Sequence, residues 1–232
     1  MQESMSEKLL GIIVNNKLTW HDHLYGNEQH TGLVAKLSQR AGIVHKLSFM
    51  MPKDRLKNIA EGIFFSLLTY GIQLYGGVWG LDNLSIAEGR SKSFTKQDNH
   101  NLQVIMNKVL RSLTGLNKET PVKILLEQSG YLSVQQLTAF HTLTTMHKIM
   151  KNKEPEYIYN IISQSKTTFN RTRTPAIFHP RYKLATSRQG FMYQGQKLYN
   201  LLPENVLTSE DIPSFKRSVK SWIKLNIPAL PP

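Results

Sequence analysis

Between residues 98 and 114 the apolar side chains fall at Leu102, Ile105, Met106, Val109, Leu110 and Leu113. That is the i, i+3, i+4, i+7 spacing of one helix face, and no strand puts these residues on one side. Gly115 stands where a helix ends. A stripe this wide has to be buried, so at least one further element must pack against it. With 232 residues the chain is long enough to supply that partner and a real core.

The rest of the chain repeats the pattern. Residues 21–49 show helical spacing at Leu24, Leu33, Val34, Leu37, Ile43 and Val44, weakened by Gly26, Gly32 and Gly42. Pro52 suits the first position of a second helix running through Ile59, Ile63, Phe64, Leu67 and Leu68 to Gly76-Gly77. Ser85 and Glu88 have capping-box spacing within a loop over 81–96. Thr120 as N-cap and Pro121 in the first turn open another helix, which Gly130 stops. Ser133 with Gln136 predicts a capping box for a helix to about Asn152, and a short helix follows Pro155. Pro213 opens a last helix with the stripe Phe215, Val219, Trp222 and Ile223. Lys216, Arg217, Lys220 and Lys224 are expected on its remaining sides. Two stretches depart from helix: residues 164–195, rich in Thr, Ser, Arg, Pro and Gly, read as a loop with one or two short strands, and the start reads as a hairpin. Leu9 to Val14 read as a short strand, Asn15-Asn16 as a turn, and Lys17 to Trp20 as a returning strand. The expected fold is mainly α, a helical bundle with a short N-terminal β-hairpin and a loop-rich basic C-terminal segment.

The uncharged run 62–81 is twenty residues long, but it carries Ser66, Thr69, Gln73, two tyrosines and five glycines. A buried helix followed by a glycine-rich turn fits it better than a membrane span, which is predominantly apolar. No membrane role is expected. The polar start, with Glu3 and Glu7, does not resemble a signal peptide. Cysteine is absent, which removes disulfides, thiolate nucleophiles and cysteine zinc sites. By elimination the expected setting is intracellular, nucleus or cytoplasm.

Charge is the strongest functional signal. The net charge is +13, and 18 Lys+Arg against 7 Asp+Glu fall in residues 101–232. No acid lies between Glu156 and Glu204. That window holds Lys166, Arg171, Arg173, Arg181, Lys183, Arg188 and Lys197, interleaved with Phe169, Phe178, Tyr182, Phe191, Tyr193 and Tyr199. Such cations can neutralise phosphates, and exposed aromatics can stack on unpaired bases. For the aromatics, burial in the core is the better reading.

Catalytic constellations are missing. There is no Gly-x-Ser-x-Gly elbow and no phosphate-binding Gly-x-x-x-x-Gly-Lys-(Ser/Thr) loop. His21, His23 and His30 contain a His-x-His pair, but a structural zinc site takes four ligands and cysteine is absent. Packing is the reading taken. His141 and His147 are six apart, off a shared helix face. Tyr75 to Gly80 follow a helix, so a tight, closely packed turn suits their glycines better than a phosphate cradle.

Four stretches in order carry a family resemblance. Leu10-Gly11 through Leu18-Thr19-Trp20 to His23-Leu24 is the first. Leu67-Leu68-Thr69-Tyr70-Gly71 with Trp79-Gly80 is the second. Leu102-Gln103 through Asn107-Lys108 and Leu110-Arg111 to Gly115 is the third. The tail is the fourth, from Thr172-Arg173 through Phe191, Gly195 and Leu198-Tyr199-Asn200-Leu201-Leu202-Pro203 to Phe215-Lys216. Together they resemble the C-terminal part of reverse transcriptases from non-LTR retrotransposons of the jockey/CR1/RTE-like kind. Tyr199 departs from the tryptophan usual in that family. The resemblance implies the end of a palm (1–20), a thumb-like helical region (21–118) and a helical, basic C-terminal region (119–232). It also implies RNA and DNA, as template and primer or element RNA, as partners. Lys17, Trp20 and His23 would lie near the primer grip.

The family's polymerase chemistry needs paired magnesium ions on carboxylates, including an adjacent Asp-Asp. The five aspartates here are Asp22, Asp54, Asp82, Asp98 and Asp211, and none has another beside it. The resemblance therefore implies a fragment without the catalytic palm. No catalytic residue, metal ligand or cofactor is expected, since magnesium would belong to the palm. Two function classes stand. One is a nucleic-acid-binding thumb and C-terminal region. The other is an inactive relic or a helical protein-interaction module. Leu9 to Val14 would then offer an apolar edge for self-association.

Overall fold

The computed structural model describes residues 6–80, 94–164, 190–209 and 211–231. Among the described residues, a two-stranded antiparallel hairpin, β1 (Ser6–Leu9) and β2 (Ile12–Asn15), is followed by helices only. These are α1 (His21–Tyr25), α2 (Leu33–Leu47), α3 (Lys53–Ala60), a π-helical turn (Glu61–Phe65), α4 (Ser66–Thr69) and α5 (Ile72–Tyr75). Then come α6 (Lys96–Thr114), α7 (Val122–Ser129), α8 (Val134–Asn152), α9 (Glu156–Gln164), α10 (Phe191–Asn200), α11 (Glu204–Leu207) and α12 (Ile212–Asn226). The fold is mainly α with an N-terminal hairpin, as the pattern predicts. Among the described residues no helix is long and apolar enough to cross a membrane.

The hairpin turns earlier than expected. Its bend is Leu10-Gly11, with φ of 48° and 88°. A two-residue turn with positive φ at both positions matches the twist of paired strands, and glycine relieves one of them. Asn15-Asn16 do turn the chain, but into α1 and not into a strand. The Asn15 side chain accepts from the Thr19 amide at 2.9 Å and donates to its hydroxyl at 2.7 Å. That local bonding closes the turn and removes Lys17 to Trp20 from any ladder.

The expected helix over 21–49 is two helices. Gly26 pairs with Thr31 across the break. A Cβ on Gly26 would lie 2.6 Å from the His30 carbonyl oxygen, and one on Gly32 2.3 Å from the Tyr25 carbonyl carbon. Only glycines let the chain cross itself this closely. The segment from Lys53 to Thr69 widens into its π-helical turn midway. The Ile63 carbonyl there accepts from the Arg40 guanidinium at 2.5 Å, so the loosened turn is held from α2. A break at Tyr70-Gly71 then separates α5.

Helix ends follow the local chemistry. Thr95 and Asp98 form a reciprocal capping box for α6, and Gly115 ends it in a left-handed conformation. Ser133 and Gln136 do the same at the start of α8. At α7 the flanking residue is Pro121 and not Thr120, and no side chain caps it. Pro121 has extended backbone, so the helix starts one residue later. Ser85 and Glu88 lie outside the described residues.

Among the described residues, two large apolar bodies and a smaller cluster at Met146, Ile149 and Ile162 result. In the first, α2, α3, the π-helical turn, α4 and α6 bury Leu37, Val44, Leu56, Phe64, Leu68 and Met106. In the second, α8, α10 and α12 bury Leu143, Leu198, Phe215, Val219 and Ile223. Helix α8 touches both. The Gly76-Gly77 turn passes close against it, where a Cβ on Gly76 would meet the Thr138 hydroxyl at 2.5 Å. The glycines after Tyr75 are thus explained by close packing.

Candidate nucleic-acid interface

The three N-terminal candidates differ in access. Lys17 is exposed. Trp20 is half-buried, edge-on to His23 and Tyr75 with ring centroids 6.4 Å from each. His23 is buried, and its Nδ1 accepts from the Ile13 amide at 3.4 Å. Burial, and then the Lys36 charge, lower its pKa to about 4. The imidazole is neutral at pH 7 and tied to the hairpin, so it cannot offer a charge to phosphate. Beside it lies a cavity of about 30 Å³, which is water-sized. Of the three, Lys17 alone presents a cation to solvent.

The acid-free window falls mostly elsewhere. Lys166, Arg171, Arg173, Arg181, Lys183 and Arg188 lie outside the described residues, as do Phe169, Phe178 and Tyr182. Lys197, on α10, is half-buried, with its Nζ 4.7 Å from the centre of the Tyr193 ring. That is a cation–π contact. Tyr193 is buried in the second body, and Phe191 packs against Met146, Ile149 and Ile162. The Tyr199 hydroxyl is 3.1 Å from His147 Nδ1. These three aromatics face the interior, in line with the packing reading made for them.

A basic surface stands on α12. Phe215, Val219 and Ile223 form its buried stripe. Lys216, Lys220 and Lys224 are exposed beside it at i, i+4 and i+8, and Arg217 lies next to them. At ~100° per residue these four cations fall within an arc of about 100°. They therefore share one side of the helix and do not surround the apolar stripe. Successive lysines are separated by a rise of about 6 Å. Lys216, Lys220 and Lys224 pair with no carboxylate among the described residues. No acid occurs in residues 212–232. The nearest, Asp211, is engaged as the N-cap, accepting from the Ser214 amide at 2.6 Å. Hydrogen bonds from Ser214 hold its carboxyl below the usual range, with Arg217 and Lys151 adding to them.

Helix α8 carries further cations. Lys148 and Lys151 are exposed near its C-terminal end. Lys151 lies close enough to act on both His147 and Asp211. Lys216 acts on His141, whose pKa is lowered first by burial and then by that charge. The end of α8 thus carries exposed cations of its own, with Lys151 near enough to the Asp211 cap of α12 to act on it. Sequence reasoning fixed on the longer acid-free window and passed over the α12 stripe. The signal was present in the i, i+4, i+8 lysines and the missing acids after Asp211.

Among the described residues, no three His, Asp or Glu side chains converge as a metal site would require. Comparison with protein-family models, curated proteins and solved structures gives no match.

Proposed function

We propose that this chain is a nucleic-acid-binding module, the thumb-like and C-terminal region of a non-LTR retrotransposon reverse transcriptase, without the catalytic palm. The observation that carries the binding is the cationic side of α12, where Lys216, Arg217, Lys220 and Lys224 share one face with no acid among them. A single-sign stripe at about 6 Å intervals suits a polyanion with regularly spaced charges better than a protein surface of mixed sign. The reverse-transcriptase assignment rests on the four ordered motifs. Of these, Trp79 and the α6 residues Leu102, Leu110 and Leu113 are packed in the first body. The proposed role is to grip RNA or DNA, and no chemistry is assigned to the chain itself.

Filter binding of the purified chain to RNA/DNA heteroduplex across a salt series tests this. Affinity should fall steeply with salt. The double variant Lys216→Glu/Lys220→Glu should weaken binding on every sequence and reduce the log–log salt slope by about 2. An unchanged slope would remove α12 from the interface. Salt-insensitive binding of the unaltered chain would end the nucleic-acid reading.

A further inference from the structure

The cavity of about 30 Å³ beside His23 lies where the hairpin meets the first helices. Ile13 of β2, His23 of α1, Leu33 and Lys36 of α2, Thr31 just before α2 and Tyr70 just after α4 line it. That volume takes one water or one ion of similar radius.

The bonding of His23 fixes which nitrogen carries its proton. The ring is 6% exposed, and Nδ1 accepts from the Ile13 amide. A ring nitrogen that accepts holds no proton, so in the neutral imidazole the proton is on Nε2. Nε2 is buried and has no hydrogen-bond partner among the described residues. A buried N–H without an acceptor is destabilising, so this wall of the cavity calls for a group that accepts.

The second polar wall is a cation. Lys36 is half-buried and forms no ion pair among the described residues. It is close enough for its charge to oppose protonation of His23. Among the described residues no carboxylate lines the cavity. The Tyr70 hydroxyl is already engaged, donating to the Leu10 carbonyl at 2.6 Å. A water would satisfy the imidazole N–H and leave the half-buried ammonium without a counter-charge. A small anion does both, accepting from Nε2 and neutralising Lys36. Phosphate and sulfate, with four oxygens, are too large for this volume.

We propose that the cavity binds one halide-sized anion, chloride in ordinary salt, between His23 Nε2 and the Lys36 ammonium. The ion ties α2 to α1 and, through the bond from Ile13 to His23, to the hairpin. No residue of α12 takes part, so the inference is independent of the nucleic-acid reading.

Thermal unfolding of the full chain tests it, with sodium gluconate replaced stepwise by sodium chloride at one ionic strength. Constant ionic strength holds the general screening of the +13 charge fixed, and gluconate is too large to enter. Tm should rise by roughly 2–4 °C and level off as the site saturates. Lys36→Gln removes the cation and should abolish the rise, and Lys36→Met serves in its place if that variant fails to fold. Lys216→Glu/Lys220→Glu should keep the rise. Equal Tm of the unaltered chain in the two salts overturns the proposal and leaves a cavity for water alone. This comparison needs no variant to fold. A rise that climbs without levelling off is a bulk salt effect and overturns it too, as does a rise that survives the loss of the Lys36 charge.

Discussion

Helices α6 and α8 are both nineteen residues long, and a reciprocal capping box opens each. Their surroundings differ. Helix α6 buries the stripe Leu102, Ile105, Met106, Val109, Leu110 and Leu113, with three polar residues, Asn99, Gln103 and Asn107, while Gln97, His100, Val104 and Lys108 meet solvent. Helix α8 is packed by α5 and α6 toward the first body and by α10 and α12 in the second. It therefore buries Thr138, Thr142, Thr144, Gln135, Gln136 and His147 along with its apolar residues. Some of these polar groups are used. The Gln135 amide donates to the Pro228 carbonyl, and that of Gln136 to the Ile227 carbonyl at 2.9 Å, fixing the end of α12. Thr138 donates back to the Val134 carbonyl at 3.0 Å. The Thr142 and Thr144 hydroxyls and His147 Nε2 have no partner. An amphipathic stripe thus belongs to a helix with one packed side. A helix at the centre of a fold loses the stripe and has to satisfy its polar groups individually.

The largest effects should come from the apolar residues that the two helices share in kind. Leu110 and Leu143 are both 0% exposed, one in each body. Truncation of either to alanine should cost ~2–5 kcal/mol in urea unfolding, through lost transfer energy and the cavity left behind. Because α8 contributes Val134 to the first body and Leu143 to the second, both variants should shift one common transition. Two separate transitions, each moved by only one variant, would break the comparison by making α6 and α8 parts of independent units.

Next comes pH, where each body has one buried histidine. The pKa values of His23 and His147 are lowered from 6.5 to about 4. In the unfolded chain each takes up a proton near pH 6.5, whereas the folded protein resists until about pH 4. Their stabilisation is complete above pH 6.5 and is lost as pH falls toward 4, by up to ~3 kcal/mol for each. Unfolding free energies measured at pH 7 and pH 4.5 should show that loss. His147→Gln should remove its own share and leave those of His23 and His141. A variant with unchanged pH dependence would show that the α8 histidine titrates in the fold as it does in the unfolded chain, so that burial does not shift it.

The same contrast governs what could be read from sequence. The α6 stripe and the caps at Thr95, Ser133 and Gly115 are local, so a linear pattern carries them. The hairpin was visible, but its register was not. Leu10-Gly11 is a weaker written turn signal than Asn15-Asn16, and the side-chain bonds from Asn15 to Thr19 decided which became the hairpin. The break at Gly26–Gly32 depends on a close crossing of the chain with itself, which spacing does not encode. At the candidate site, a count of charges found the long window and overlooked the shorter α12 stripe. Charge density is linear, whereas a binding face is angular. The contact between His147 and Tyr199 joins residues 52 apart and could not be read from either helix alone.

The smallest effect makes the finest test, because two hydroxyls on one helix should respond with opposite signs. Ser133 accepts from the Gln136 amide at 3.3 Å, and the Gln136 side chain returns to the Ser133 amide at 3.1 Å. Ser133→Ala should cost ~1 kcal/mol, as the loss of an N-cap does. Thr142 is 1% exposed, and its hydroxyl has no partner. It sits against α10, where its methyl group approaches Gly195. Valine has nearly the same shape and no hydroxyl to desolvate. Thr142→Val should therefore leave stability unchanged or raise it by up to ~1 kcal/mol, because an unsatisfied buried hydroxyl costs about that much. Urea unfolding of the two variants beside the unaltered chain reads both signs. If Thr142→Val were as costly as Ser133→Ala, the Thr142 hydroxyl would have to be bonded in solution. The contrast between satisfied and unsatisfied polar groups along α8 would then fail at its clearest position.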